Sequence, residues 1–151
     1  MPRRWRPSAA SVAAGEPIPY VLDTSVLVSA ALGKGHSRRL LSLLVARTDL
    51  ISSEAILSEL DETLRSEKRL ARLIPATTRA RYLAFLARAA RLVNPSEVGE
   101  LPDPDDAHVF GTAAAAGATL VTGDKALVSL SIEGVRVLTV RQALEELGSQ
   151  V

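Results

Sequence analysis

The sequence predicts an α/β domain, a parallel sheet covered by helices on both faces. Short apolar runs that read as strands alternate with longer amphipathic stretches that read as helices, and this order calls for crossover connections. The 151 residues, 47% of them hydrophobic, suit one domain. A chain of this size buries roughly 68–70% of its unfolded surface. No internal repeat and no long linker interrupts the alternation.

Tyr20-Val21-Leu22 is an apolar run ending at Asp23, a strand followed by a cap position. Thr24 or Ser25 can cap a helix to about Leu32, and Gly33 and Gly35 break it. From His36 to Ala46 the chain is amphipathic, with Leu40, Leu41, Leu44 and Val45 on one face. Leu50-Ile51 is the next strand, and Ser52 or Ser53 caps a helix to about Arg65. Helical patterns continue over Glu67–Ile74 and Thr77–Arg91, and Arg91-Leu92-Val93 reads as a strand. Asp103-Pro104 opens a helix to Ala116, which Gly117 ends. Thr119 to Thr122 is a strand, followed by Gly123-Asp124 and a short helix. Val135 to Leu138 is the last strand, and a helix from Thr139 or Val140 to Leu147 closes the domain.

Composition removes several function classes. The chain has no cysteine, hence no disulfide framework, thiolate metal site or cysteine nucleophile. That fits a reducing, cytoplasmic compartment. No apolar run approaches the ~18 residues of a membrane helix, so no membrane partner is expected. Residues 1–18, rich in Pro, Ala, Ser and Arg, lack the apolar core of a secretory signal. They read as a disordered basic arm ahead of a domain spanning 19–151.

The net charge of +1 hides an asymmetry. Residues 19–95 carry 12 basic and 7 acidic side chains, whereas residues 96–151 carry 3 and 9. Opposed halves point to a polyanion partner, an acidic site, or helix faces that differ in sign.

Ligands of open parallel sheets bind beyond the carboxyl ends of the strands. Asp23 and Asp124 fall at such ends, and each also suits a helix cap, the better account of Asp124 taken alone. Asp106 shares a helical stripe with Phe110, Ala113 and Gly117, so it points inward near a helix start, where an unpaired carboxylate is costly. Asp103 and Asp105 are better explained as capping residues. In the helix after Ser53, Ile56, Leu60 and Leu64 mark the buried face. Glu59 and Asp61 flank it on opposite sides, each roughly 100° from Leu60, and periodicity does not choose between them. An all-oxygen cluster of such acids suits a hard cation, Mg²⁺ or Mn²⁺. Such ions activate water and stabilise a leaving oxygen in phosphoryl chemistry.

These residues also carry a resemblance. YVLDTSVLVSAAL resembles the opening of a PIN domain, ILSELDETL its second acidic motif, and LPDPDDAHVFGTAAAAGATLVTGDKAL its third and fourth. The four lie in order over roughly residues 19–145. The DPDD and TGD arrangement most resembles the bacterial toxin components of toxin–antitoxin pairs (VapC-like ribonucleases). The resemblance implies a doubly wound, three-layer α/β/α fold with a parallel sheet of about five strands. It implies that the site acids are Asp23, Glu59, Asp106 and Asp124, with Thr24 or Ser25 and Thr122 as supporting polar residues. The first three would hold the principal metal ion, and Asp124 would complete the cluster. The implied activity is Mg²⁺- or Mn²⁺-dependent hydrolysis of RNA, leaving a 5′-phosphate and a 3′-hydroxyl. A toxin role implies a small antitoxin partner, and the family also implies a homodimer. An RNA-processing nuclease, or a non-catalytic module that keeps the fold and binds RNA or protein, is the alternative.

RNA is held through its phosphates. Arg38, Arg39, Arg65, Lys68, Arg69 and Arg72 are the candidates, while Arg79, Arg81, Arg88 and Arg91 read as a solvated face. With five aromatic residues in the chain, base stacking is not expected to dominate recognition. His36 and His108 both read as surface residues. A haloacid-dehalogenase phosphatase would need a second Asp where Ser25 stands and another acid where Val128 stands. A receiver domain would need its phosphorylatable Asp later than Asp23. Gly33-Lys34-Gly35 is too short for a phosphate loop.

Overall fold

A computed structural model of the chain describes residues 18–128 and 134–149. All but the last residue of the expected arm, 1–18, lies outside these.

Five parallel strands form one sheet: β1 (Tyr20–Leu22), β2 (Leu50–Ser52), β3 (Arg91–Leu92), β4 (Thr119–Val121) and β5 (Val137–Leu138), in the order β3-β2-β1-β4-β5. Val21 lies opposite Ile51 on one side and Leu120 on the other. β1, β2 and β4 are buried at every position, which explains their continuous apolar runs. β3, at the sheet edge, is exposed. Three strands are shorter than the sequence pattern suggests, at 91–92, 119–121 and 137–138. Just beyond them, Val93 N–H donates to the Ser52 carbonyl and Thr122 N–H to that of Leu138, each at 3.0 Å. The chain steps outward from β1 through β2 to β3, then returns to place β4 on the other side of β1. Strand order therefore reverses between β1 and β4, and in open α/β sheets ligands bind beyond the carboxyl ends of strands at such a point.

The helices are α1 (Thr24–Ala31), α2 (Gly35–Arg47), α3 (Glu54–Ser66), α4 (Lys68–Leu73), α5 (Ala76–Ala89), α6 (Ala107–Ala116), the single turn α7 (Lys125–Val128) and α8 (Val140–Ser149). Asp23 itself caps α1, in place of Thr24 or Ser25, because its Oδ1 accepts from Val26 N–H at 3.1 Å. Ser53 caps α3 through Ile56 N–H. Thr139 and Gln142 form a reciprocal box at the start of α8, each side chain bonding the other's backbone N–H. Gly117 ends α6 in the left-handed conformation, φ 62°.

α6 packs on β1, β2 and β4 and against α3. Its sequence, AHVFGTAAAA, is buried on nearly every side, so small residues are needed throughout. Its start differs from expectation: Pro104–Asp106 is a 3₁₀ turn rather than the first turn of the α-helix. Asp103 closes that turn, accepting Asp105 N–H on its side chain at 2.9 Å and Asp106 N–H on its carbonyl at 3.1 Å. At the opposite, amino end of the strands, Arg136 makes two 2.7 Å bonds to Glu146 and reaches Thr119 Oγ1. The Tyr20 hydroxyl also donates to Glu146 at 2.7 Å. This network ties α8 to the sheet.

Candidate metal centre

The loops leaving β1 and β4 are stitched together around Asp23. Its Oδ1 accepts from the Ser25 hydroxyl at 2.6 Å, and its Oδ2 takes a short hydrogen bond from the Thr122 hydroxyl. Thr122 Oγ1 in turn accepts Asp124 N–H at 3.0 Å, and Ser25 Oγ accepts Gly123 N–H at 3.3 Å. A Cβ on Gly123 would stand 3.1 Å from that same oxygen, so the close approach favours glycine. Asp23 is 7% exposed. Burial pushes its carboxyl above the ordinary aspartate range, and the charge on Glu59 adds to the push. Hydrogen bonds from Ser25, Thr122 and Val26 N–H pull the other way. Asp124 is exposed and its Oδ1 accepts Ala126 N–H at 2.9 Å, so it does cap α7.

Beside this junction α3 and the 103–108 segment face each other across a cleft of about 850 Å³. Glu59, Glu62, Asp103, Asp105, Asp106 and His108 line it, with no Lys or Arg among the lining residues. Asp61 points elsewhere, pairing with Arg79 at 3.1 Å. Periodicity left Glu59 and Asp61 equivalent; the partner on α5 distinguishes them. Asp106 is half-buried, standing in the 3₁₀ turn ahead of the helix rather than inside its stripe. Burial raises its carboxyl, and the charges of Asp103, Asp124, Asp23 and Glu59 raise it further. The four candidate acids thus share one electrostatic field.

His108 departs from the sequence expectation. It is not a free surface residue: its side chain is 22% exposed, and its Nε2 lies 2.6 Å from Glu59 Oε2. The pair is at ion-pair distance, although Nε2 makes no well-aligned hydrogen bond. The Thr112 hydroxyl reaches both the His108 carbonyl at 2.6 Å and Ser53 Oγ at 2.9 Å, a second polar tie between α6 and α3.

The sequence matches the PIN domain family over residues 19–126. The chain belongs to the PIN domain family. PIN domains are generally nucleases that use divalent metal ions. The fold is also that of a solved structure, PAE2754 from Pyrobaculum aerophilum, with a TM-score of 0.58 at 20% identity, covering 88% of this chain and 91% of that one. No curated protein matches the chain in sequence.

The donor chemistry of this PIN domain fits a divalent cation. Its candidate ligands are carboxylates, and burial together with neighbouring carboxylate charge raises the proton affinity of Asp23 and Asp106, a cost that a bound cation would relieve. Beside them, the Thr24 hydroxyl is buried without a partner. The distances are not closed around an ion: among the described residues, no three Asp, Glu or His side chains form a group that would hold one. Glu59 is turned to His108, and both oxygens of Asp23 are engaged by donors.

The basic candidates lie outside the cleft lining. Arg39, Arg65, Lys68, Arg69 and Arg72 are exposed on α2, α3 and α4, and Arg65 adjoins Ser66, which lines the cleft. Arg38 belongs to a separate apolar groove with Leu41, Ile74, Tyr82 and Phe85. Among the described residues no helix is long and apolar enough to cross a membrane.

Proposed function

We propose that this PIN domain is a Mg²⁺- or Mn²⁺-dependent endoribonuclease that hydrolyses RNA phosphodiester bonds. The observation that carries the reading is an acidic cleft lined by Glu59 and Asp106 with no Lys or Arg, in a PIN domain whose β1 and β4 loops join Asp23 and Asp124 through Thr122. Asp23, Glu59 and Asp106 would hold the principal ion, and Asp124 would complete the cluster. When bound, such an ion supplies Lewis acidity to the phosphodiester and neutralises charge on the departing oxygen. Ser25 and Thr122 orient Asp23 in advance, which spares the site that reorganisation at reaction. Arg65, next to the cleft-lining Ser66, and Lys68, Arg69 and Arg72 on the following helix would take backbone phosphates, with Arg38 and Arg39 as further candidates. Water attacks phosphorus opposite the 3′-oxygen, which leaves with a proton, giving 5′-phosphate and 3′-hydroxyl ends.

The test is purified protein with structured and single-stranded RNA in Mg²⁺, Mn²⁺ or EDTA, beside Asp23→Asn. Cleavage confined to the metal lanes and lost in the variant supports the reading. Equal cleavage by Asp23→Asn removes it, and absence of any cleavage favours a non-catalytic module.

The DPDD and TGD motifs further support a toxin of a toxin–antitoxin pair. A small antitoxin would then place a basic residue in the acidic cleft, and the toxin would pair as a homodimer in a cytoplasmic setting. Growth arrest on expression, relieved by the product of a short reading frame directly upstream, is the expected result. Normal growth without that partner points instead to RNA processing.

A further inference from the structure

From the contact between α3 and α6 we infer that His108 is a positioning residue for Glu59, holding that carboxylate at the cleft and so setting how tightly the four-acid site takes a divalent cation. The inference rests on the metal-site reading of the preceding section.

Glu59 needs such a hold. Its side chain is 42% exposed, on a stem with three rotatable bonds, and its default is to wander in solvent. Asp23 is pinned by three donors; among the described residues Glu59 meets His108 alone, at 2.6 Å. His108 meets Oε2 and leaves Oε1 uncommitted among the described residues, as a ligand carboxylate requires. The contact also keeps Glu59 on the side where its charge is felt by Asp23 and Asp106.

The backbone that carries the imidazole is itself tied down. Nε2 is covered from solvent. One turn later, Thr112 bonds the His108 carbonyl and meets Ser53, the cap of α3. The helix start that carries Asp106 therefore also carries the group that places Glu59. Partners standing behind ligands orient them and commonly change metal affinity by about 10–100-fold when removed.

The experiment is a Mn²⁺ titration without RNA, read by the electron-spin signal of the free ion, on wild type, His108→Ala, His108→Gln, His108→Asn and Asp23→Asn. Gln carries an amide nitrogen at the position of Nε2, whereas the Asn amide stops short. The expected result is affinity about 10–100-fold weaker in His108→Ala, largely restored in His108→Gln and still weak in His108→Asn. Metal-free melting reports folding separately; if His108→Ala fails to fold, the Gln and Asn variants carry the comparison alone. Unchanged or tighter binding in His108→Ala overturns the inference, and so does Gln binding no better than Asn. In either case loss of binding in Asp23→Asn leaves the metal-site reading standing. Wild-type binding in Asp23→Asn overturns both.

Discussion

Gly111 is where α6 meets the chain behind it most closely. A Cβ built there would stand 2.3 Å from the Ser96 carbonyl oxygen and 3.1 Å from Pro95 Cβ. The obstacle is backbone, which cannot rotate aside. Ser96 N–H also donates to the Gly111 carbonyl at 2.9 Å, so moving the segment away strains or breaks that bond. Three magnitudes compete in Gly111→Ala. Overpacking costs roughly 1–3 kcal/mol, and a weakened hydrogen bond about 1 kcal/mol more. Replacing glycine inside a helix returns about 1 kcal/mol. The net is a loss of about 1–3 kcal/mol. At about 2–4 °C per kcal/mol, the melting midpoint falls by a few degrees. Gly148 in α8 is the control, since nothing lies within 4 Å of an added Cβ. There only the helix term acts, and Gly148→Ala gains up to about 1 kcal/mol. Thermal and urea unfolding of both variants measure the contrast. A Gly111→Ala protein as stable as wild type would refute the close packing of α6, and with it the stated setting of Asp106 and His108.

Asp106→Asn removes one of several mutually repelling carboxylates, so its melting midpoint in EDTA should exceed that of wild type, while Mn²⁺ raises it less. Glu146 responds in the opposite sense. Hydrogen bonds from Arg136 hold its carboxyl below the ordinary value of 4.5. A lowered folded pKa contributes stability that is present above that value and lost as pH falls through the folded pKa. Glu146→Gln should therefore be less stable than wild type at pH 7, and the gap should narrow in acid; chemical denaturation at several pH values tests this. Thr112→Val deletes the hydroxyl between Ser53 and the His108 carbonyl and should cost about 1 kcal/mol in the same unfolding experiment.

What was legible in the sequence follows the range of the forces involved. The buried strands read clearly because a run such as Tyr20-Val21-Leu22 has one use, a central parallel strand. Ser53, Asp23 and Gly117 sit within three residues of the groups they cap, so local pattern was enough to place the helix ends to within a residue or two. Asp106 was half legible. The sequence marks it as an acid at the start of α6, but its place is set by the 3₁₀ turn that Asp103 closes around Pro104 and not by the helical stripe. α6 offers no contrast between faces, since alanine fits core and surface alike, so its pattern does not report that His108 meets Glu59 on α3. Glu59 and Asp61 are symmetric about their stripe, so periodicity is silent; the motif resemblance selects Glu59, and Arg79 and His108, from other helices, show the different surroundings of the two acids. The bond from Tyr20 to Glu146 joins residues 126 apart, a separation that no local pattern reports.

The central claim is that Asp23, Glu59, Asp106 and Asp124 act as one metal-dependent hydrolytic site. The most direct measurement is RNA cleavage in Mn²⁺ by the four single amide variants of these acids, beside Asp61→Asn and Asp105→Asn, with folding checked by melting. The account predicts losses of at least about a hundredfold for Asp23→Asn, Glu59→Gln and Asp106→Asn. It predicts a clear loss for Asp124→Asn and near wild-type rates for both controls. Wild-type rates in the first three variants, or equal losses in the controls, would contradict it.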